Sequence, residues 1–228
     1  MFAAFGCFVS PSTEASCTSS PSPPSNCTIQ IDFALLLDES GSTKSGSTKR
    51  PDEPIAFVLY KGFAKELLER FPPEINRSRF SVVSFNANAS TRVGWSYNTT
   101  EIELGIDQLE PNGETSISDG FEAVRHLFDN SSTDGRESAT KVVLLLSDGR
   151  QTVDKAYGRT LLQTAVDAAE LVREKHNATV FAWGFGNKVN LTELEMIASD
   201  RSVSDFANKC VCCRPRTASG PAKERYLP

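Results

Sequence analysis

Two apolar segments of this chain end in an aspartate, and they constrain its fold more than any other feature. Residues 33–37 are followed at once by Asp38, and residues 142–146 are followed by Ser147 and Asp148. Continuous apolar runs of this length are typical of parallel strands buried on both faces of a sheet. Because open α/β sheets bind ligands beyond the carboxyl ends of their strands, both aspartates are predicted to lie at one edge of the sheet.

Helical and strand patterns alternate along the rest of the chain. Apolar residues recur at helical spacing in three stripes, namely Ile55, Leu59, Phe63, Leu67 and Phe71, then Ile117, Phe121, Val124 and Phe128, then Leu161, Ala165, Ala168 and Val172. Residues 80–85 alternate as a half-exposed strand, residues 90–95 follow closely enough to form an antiparallel edge hairpin, and residues 180–185 are nearly all apolar. We therefore expect an α/β fold, with a doubly wound, mostly parallel open sheet, one antiparallel edge strand and helices on both faces.

Composition limits the classes of function. The chain has 228 residues, 39% of them hydrophobic, and a formal net charge of -5, which suits one well-packed domain. No arginine-rich or aromatic-interleaved basic stretch is present, so a nucleic-acid partner is not expected. No apolar run approaches the roughly 18 residues needed to span a bilayer, so no transmembrane segment is predicted.

Three regions are predicted along the chain. Residues 1–27 combine a candidate signal region with a linker rich in Ser, Pro and Thr. The apolar stretch at residues 1–9 is short and lacks a positively charged start, although cleavage after Ala15 would satisfy the small-residue rule. Residues 28–209 are predicted to form the folded domain, and residues 210–228 form a cysteine-containing tail.

Asparagine triplets point to the secretory pathway. Asn-x-Ser/Thr triplets, which are acceptors for N-glycosylation, are more frequent here than Ser/Thr content alone predicts. They begin at Asn26, Asn76, Asn88, Asn98, Asn130, Asn177 and Asn190. Triplets near helix starts also suit helix capping, so both interpretations stay open for those sites.

The cysteines agree with an oxidising compartment. Three of them, Cys7, Cys17 and Cys27, precede the first strong strand, and three others, Cys210, Cys212 and Cys213, follow the last periodic segment. A disulfide that joins the two ends of a domain explains this layout better than a metal site does. We favour Cys27 paired with Cys210 or Cys212, and a vicinal bridge between Cys212 and Cys213 is the strained alternative. The chain is therefore predicted to be secreted or displayed at the cell surface.

Four kinds of site compete for the turn after Asp38, and three of them lack a required feature. Residues 41–48 imitate a phosphate-binding loop, but Ser47 stands where the phosphate-binding lysine is required. An aspartyl-phosphate enzyme would use Asp38 as its nucleophile, but its acid/base aspartate is replaced by Ser40. A serine nucleophile lacks its characteristic turn, and His126 and His176 are predicted on helix surfaces.

A metal site accounts for more residues. Asp38, Ser40 and Ser42 form the pattern Asp-x-Ser-x-Ser, which offers one carboxylate and two hydroxyl oxygens from a single turn. Oxygen ligands of this kind suit Mg²⁺, with Mn²⁺ or Ca²⁺ as alternatives. Moreover, two carboxylates at one edge, those of Asp38 and Asp148, repel one another unless a cation lies between them.

This pattern resembles the metal-ion-dependent adhesion site of von Willebrand factor A-type domains, and the resemblance extends over residues 29–199. It implies that Thr115 and Asp148 complete the metal site, with Asp148 acting through water. It also implies a non-enzymatic module whose cation binds an exposed Asp or Glu of a protein ligand. Where the family often has Gly-Gly-Thr-x-Thr, this chain has Glu114 and Ile117 at the second glycine and the second threonine.

Two other functions are compatible with these residues. Asp38 could serve an aspartyl-phosphate phosphatase or hydrolase, and some A-type domains act inside cells as partners of ATPases. The long loop after the motif carries Lys44, Lys49 and Arg50. These cations could steer an acidic surface toward the ion, or they could simply be part of a solvated loop.

Overall fold

The computed structural model describes residues 30–44, 56–130, 136–185 and 189–199, which belong to a compact unit extending from Ile29 to Asp200. The strands are β1 (Ile31–Asp38), β2 (Ser78–Phe85), β3 (Ala89–Ser96), β4 (Thr140–Ser147) and β5 (Thr179–Gly184). The helices are α1 (Ala56–Arg70), α2 (Thr99–Asp107), α3 (Ile117–Asn130), α4 (Leu161–His176) and α5 (Leu191–Ile197). A short 3-10 helix, Gly41–Lys44, follows β1.

Within this part of the chain the strands form one sheet, in the order β3-β2-β1-β4-β5. β1 pairs in parallel with β2 and β4, and β4 pairs in parallel with β5. β3 is antiparallel to β2 and lies at the edge. The predicted fold class is therefore confirmed, and β1 and β4 are neighbours whose carboxyl ends meet at one edge.

Alternate side chains of the strands face opposite layers of helices. One face contributes Ala34, Leu36, Val83, Val143 and Leu145 to a buried cluster with the apolar stripes of α3 and α4. On the other face Phe33 contacts Phe71, directly after α1, and Phe63 of α1 contacts Trp183 of β5. The predicted stripe of α3, with Ile117, Phe121, Val124 and Phe128, is fully internal. Burial on both faces explains why β1 is apolar at nearly every position.

Several local predictions are wrong. The pattern of β2 predicts a half-exposed strand, yet all eight of its residues are buried, because helices α2 and α3 pack against this strand. In α1 the buried residues are Phe57, Tyr60, Ala64 and Leu68, whereas Leu59 of the predicted stripe is 39% exposed. Helices α2 and α5 are additional to the predicted elements. His176, expected on a helix surface, has a side chain only 9% exposed, and it packs on Phe128.

The amino end of β1 holds a buried ion cluster. Asp32 accepts hydrogen bonds from Arg79 Nε and Nη2, both at 3.0 Å, and from Arg136 Nε at 2.9 Å. Arg136 also donates to the backbone carbonyls of Ile75 and Arg77, each at 3.0 Å. The three charged side chains are each at most 5% exposed. Two arginines thus neutralise one carboxylate and join β1 to the segments that lead into β2 and β4.

None of the described helices combines the length and apolar character needed to cross a membrane. The predicted cysteine pairs lie outside the described residues, as do Asn26, Lys49, Arg50 and Ile55.

Candidate metal centre

Asp38 ends β1 and is fully buried. Its Oδ1 accepts a hydrogen bond from the Ser40 backbone N–H at 2.9 Å, and its Oδ2 accepts one from the Ser147 hydroxyl at 2.6 Å. The Tyr60 hydroxyl donates to the backbone carbonyl of Asp38. Burial raises the pKa of Asp38 from its ordinary value of 3.8 to about 6, although the hydrogen bonds from Ser147 and Ser40 oppose this effect. The carboxylate is thus held in one orientation in a place that disfavours its charge.

The two serines of the motif lie in the turn that follows. Ser40 is buried and Ser42 is exposed, and their hydroxyl oxygens are 2.9 Å apart. The Thr43 hydroxyl donates to the Ser40 carbonyl at 2.7 Å and closes the first turn of the 3-10 helix. Alternate residues of the motif therefore place two hydroxyl oxygens close together, as shared coordination of one ion requires.

Asp148 follows β4 directly, beside the end of β1. It is 9% exposed, and its Oδ1 is a buried atom with no hydrogen-bond partner within the described part of the chain. The charge of Asp148 contributes to the raised pKa of Asp38, so the two carboxyl groups are within electrostatic reach of one another. An unpartnered buried carboxylate oxygen costs free energy unless a cation or an ordered water satisfies it.

The loop after Asp148 is tightly constrained. Gly149 has a φ of +89°, and a Cβ atom there would lie 2.8 Å from Leu194 Cγ and 2.9 Å from the Asn190 carbonyl oxygen. The Asn190 N–H donates to the Asp148 carbonyl at 2.9 Å. Glycine is therefore required at position 149 for its backbone conformation and for the close approach of α5.

Backbone hydrogen bonds join the Thr115 loop to both other loops of the site. The Gly41 N–H donates to the Gly113 carbonyl at 2.9 Å, and the Thr152 N–H donates to the Thr115 carbonyl at 2.8 Å. In return, the Thr115 N–H donates to the Thr152 hydroxyl at 2.9 Å. Thr115 is 2% exposed. The three segments that carry the predicted metal ligands are thus connected at the carboxyl edge of the sheet.

Sequence reasoning missed Glu39 and Ser147. Glu39 lies inside the motif, is 4% exposed, and accepts hydrogen bonds from Arg92 of β3 at 2.8 Å and from the Glu110 N–H at 2.7 Å. Ser147 was visible as a polar residue at the end of an apolar strand, and that was the available signal for its bond to Asp38. Ser147 and the partners of Glu39 thus hold the Asp38 turn from elements distant in sequence.

The donor set fits a hard divalent cation. No group of three or more His, Cys, Asp or Glu side chains able to hold a metal occurs among the described residues. A site here would therefore combine two carboxylates with hydroxyl oxygens, the ligands that Mg²⁺ and Mn²⁺ accept together with water. The unpartnered Oδ1 of Asp148 and the buried Asp38 are the two features that such an ion would satisfy.

The predicted glycosylation sites differ in their surroundings. Asn76, Asn88, Asn98, Asn130 and Asn177 are exposed. Asn190 is half-buried, and its Nδ2 donates to Glu193 at 2.5 Å. Asn98 and Asn190 are the N-caps of α2 and α5, so capping occurs at both positions. Glycosylation of the exposed sites stays a prediction.

Comparison with known proteins gives the family. A family model for the von Willebrand factor type A domain matches residues 32–210. The chain belongs to the von Willebrand factor type A family. None of the curated proteins matches the sequence of this type A domain.

Solved structures with the same fold include proximal thread matrix protein 1 (PTMP1) from the mussel byssus. One PTMP1 structure is 27% identical to this type A domain with a TM-score of 0.60, and the match covers 76% of this chain and 42% of the mussel chain. Another PTMP1 structure has a zinc-occupied MIDAS motif, the abbreviation for a metal-ion-dependent adhesion site. It is 26% identical to this chain with a TM-score of 0.58, and the match covers 84% of this chain and 48% of the mussel chain. This chain therefore spans less than half of the mussel protein.

A third structure, manganese-loaded TRAP protein from Plasmodium vivax, is 18% identical with a TM-score of 0.59. The match covers 78% of this chain and 65% of the TRAP chain. At this level of identity the likeness shows the fold.

Proposed function

We propose that this type A domain is a protein-binding module of the adhesion class, in which a divalent cation bridges the domain to a carboxylate of a protein ligand. The ligand set is Asp38, Ser40, Ser42, Thr115 and Asp148, and Mg²⁺ is the expected ion. The observation that carries the proposal is the buried, unpartnered Oδ1 of Asp148 beside the fully buried Asp38. The zinc-occupied MIDAS motif of the mussel relative supports a divalent cation at the corresponding edge.

The charge balance of the site explains why such an ion would accept an external carboxylate. Asp38 supplies one charge, and Asp148 is expected to act through water, while the remaining ligands are neutral hydroxyls. A divalent cation would therefore keep part of its positive charge and favour an anionic oxygen in its open coordination position. The exposed Ser42 marks the side of the site that a ligand can reach.

The proposed location is the cell surface or the extracellular space. The exposed sequon asparagines support this proposal because glycosylation requires access to the side-chain amide. The mussel relative comes from the byssus, which agrees with an extracellular role.

The alternative is an aspartyl-phosphate enzyme with Asp38 as the nucleophile. Both oxygens of Asp38 accept hydrogen bonds, and Tyr60 donates to its backbone carbonyl. The Ser40 hydroxyl, in the position of the acid/base aspartate, lies against Ser42. These contacts favour a fixed metal ligand over a nucleophile.

Acetate in the presence of Mn²⁺-loaded protein tests the proposal directly. Paramagnetic Mn²⁺ broadens the carbon NMR lines of any acetate that enters its coordination shell, so saturable broadening by the wild-type protein is expected. Asp38→Asn should remove the broadening and leave only the effect of free Mn²⁺, while Asn76→Gln, at an exposed loop position, should behave as wild type. Mn²⁺ binding without acetate access would contradict the bridging function.

A further inference from the structure

The lysines and arginines of the described residues fall into two groups. Most of them form an ion pair or a hydrogen bond. Within the described part of the chain, Lys44, Arg150 and Lys155 form neither, and all three are exposed. Their positive charges are therefore exposed to solvent, and none of the described carboxylates forms an ion pair with them.

These three cations lie on the segments that carry the candidate metal ligands. Lys44 ends the 3-10 helix that follows Asp38, and Arg150 and Lys155 belong to the loop that follows Asp148. The hydrogen bonds of Gly41 and Thr152 to the Thr115 loop join both segments at the carboxyl edge of the sheet. We call Lys44, Arg150 and Lys155 the cationic rim.

The loop that carries two of these cations is held in place by its own hydrogen bonds. Gln151 Nε2 donates to the Asp154 carbonyl at 3.0 Å, and the Ala156 N–H donates to the Thr164 hydroxyl at 3.0 Å. The Asp154 carboxylate accepts a hydrogen bond from the Ser116 hydroxyl and is turned toward the Thr115 loop. The loop is thus pre-organised, and the exposed Asp154 is hydrogen-bonded to Ser116.

We propose that the metal face binds an acidic protein segment, in which one carboxylate reaches the cation and neighbouring carboxylates contact the cationic rim. This inference rests on the proposed metal-bridged function and specifies the partner. Charge complementarity of this kind steers association and selects among partners. A sulfated or nucleic-acid polyanion fits less well, because the chain carries a net charge of -5 and the rim has only these three described cations.

Tyr157 adds an apolar contact to the same loop. Its side chain is fully exposed, and it lies two residues after Lys155 of the cationic rim. Exposed tyrosines next to cations are common contact residues in protein interfaces, since they bury a large area with little loss of conformational entropy. The expected partner segment therefore has an apolar residue close to its carboxylates.

Two peptides distinguish a general carboxylate site from an acidic-segment site. The first is a short glycine peptide with one central glutamate, and the second has glutamate at every position of the same length. Their affinities are measured by NMR titration with the Mg²⁺-loaded protein at low salt. The wild-type protein should prefer the poly-glutamate peptide by about tenfold, and the preference should shrink as salt is added.

Charge-matched variants assign this preference to the rim. The triple variant Lys44→Gln, Arg150→Gln, Lys155→Gln should lose the preference and still bind the single-glutamate peptide. The control variant Lys65→Gln, Arg70→Gln, Lys175→Gln loses the same charge from ion-paired positions on α1 and α4, and it should keep the preference. Tyr157→Ala should weaken only peptides that carry an added leucine.

Each remaining result would overturn the inference in a recognisable way. If the rim variant keeps the wild-type preference, the rim does not select the partner, while the metal-bridged function stands. If neither peptide binds in Mg²⁺, the proposed function fails and the inference fails with it. Chelator-insensitive binding of heparin that exceeds peptide binding and is lost in the rim variant would assign the cations to a sulfated polysaccharide instead.

Discussion

Strand β1 carries a buried aspartate near each end, and the two have opposite surroundings. Asp32, at the amino end, accepts charged hydrogen bonds from Arg79 and Arg136. Arg136 also donates a hydrogen bond to the backbone carbonyl of Ile75. Asp38, at the carboxyl end, has only neutral donors among the described residues, and Asp148 directly follows the neighbouring strand β4. The amino end is complete without any ligand, whereas the carboxyl end has an excess of negative charge that a cation would balance.

This difference separates structural from functional use of one residue type. Where a buried carboxylate is paired with two arginines, loss of any one partner leaves an uncompensated buried charge and destabilises the protein. A buried carboxylate pair without a cation costs stability and persists where a ligand or a function compensates for it. Burial alone would not distinguish the two aspartates, because both are fully buried.

The largest expected effect comes from neutralising each aspartate in metal-free protein. Asp32→Asn leaves two buried arginines without their carboxylate and should lower the free energy of unfolding by about 3–5 kcal/mol. Asp38→Asn, the matched change at the other end, should leave stability unchanged or higher because it removes an uncompensated charge. Urea unfolding in the presence of a chelator measures both values. Equal losses in the two variants would show that the two ends do not differ as described.

The pH dependence of stability should separate the two ends next. The pKa of Asp38 is about 6 in the folded protein and 3.8 ordinarily. Between these two pH values, the folded state therefore holds a proton that the unfolded chain has released. The stability contribution of Asp38 is therefore fully present below pH 3.8 and is lost as the pH rises through about 6. The loss amounts to about 3 kcal/mol near neutral pH.

Comparison of wild type with Asp38→Asn over this pH range isolates that contribution from the other carboxylates. In chelator, the wild-type protein should lose stability relative to the variant as the pH rises. Saturating Mg²⁺ should restore stability near neutral pH. A stability difference between wild type and variant that does not change with pH would contradict the raised pKa of Asp38.

A smaller effect is expected for the hydroxyl that orients Asp38. Ser147→Ala removes the hydrogen bond to Asp38 Oδ2 and should weaken Mg²⁺ binding by about 10- to 100-fold, as is typical for groups that orient metal ligands. Ser81→Ala, which removes a buried hydroxyl that donates to the Val93 carbonyl, is the control and should leave metal affinity unchanged. Similar affinities for Ser147→Ala and wild type would argue that Asp38 does not hold the ion.

The smallest effect on stability and on metal affinity is expected when the ion pair between Glu39 and Arg92 is removed. Arg92 is 37% exposed, so Arg92→Met should cost only about 1 kcal/mol of stability and weaken Mg²⁺ binding a few-fold through the Asp38 turn. Arg70→Met removes an exposed pair with Glu66 on α1 and should change neither quantity. Thermal unfolding and metal titration of both variants measure the contrast, and identical behaviour would leave Glu39 without a positioning role.

The parts of the fold that sequence could predict are those determined by local patterns. The apolar runs of β1 and β4 and the stripe of α3 each follow from burial on specified faces. The stripe of α1 could not be chosen correctly, because this helix has apolar residues on two faces. Tertiary contacts decide between them, including the bond from Tyr60 to the Asp38 carbonyl.

The same distinction holds for the candidate site. Asp38, Ser40 and Ser42 lie within one turn, so their spacing was informative from sequence alone. The bonds of Ser147 to Asp38 and of Arg92 to Glu39 connect residues separated by 109 and 53 positions. No local pattern specifies such pairs, and they depend on which strands become neighbours.

Calorimetric titration of Mg²⁺ into the folded domain, beside Asp38→Ala, is the decisive measurement for a cation at the carboxyl end of β1. Mn²⁺ serves as a second ion in the same experiment. Saturable binding at one site in the wild-type protein, lost in the variant, is the predicted result, and it would place the cation at the carboxyl end of β1. Equal binding by a folded Asp38→Ala variant, or no binding by the folded wild-type domain, would contradict the assignment of this edge as a metal site.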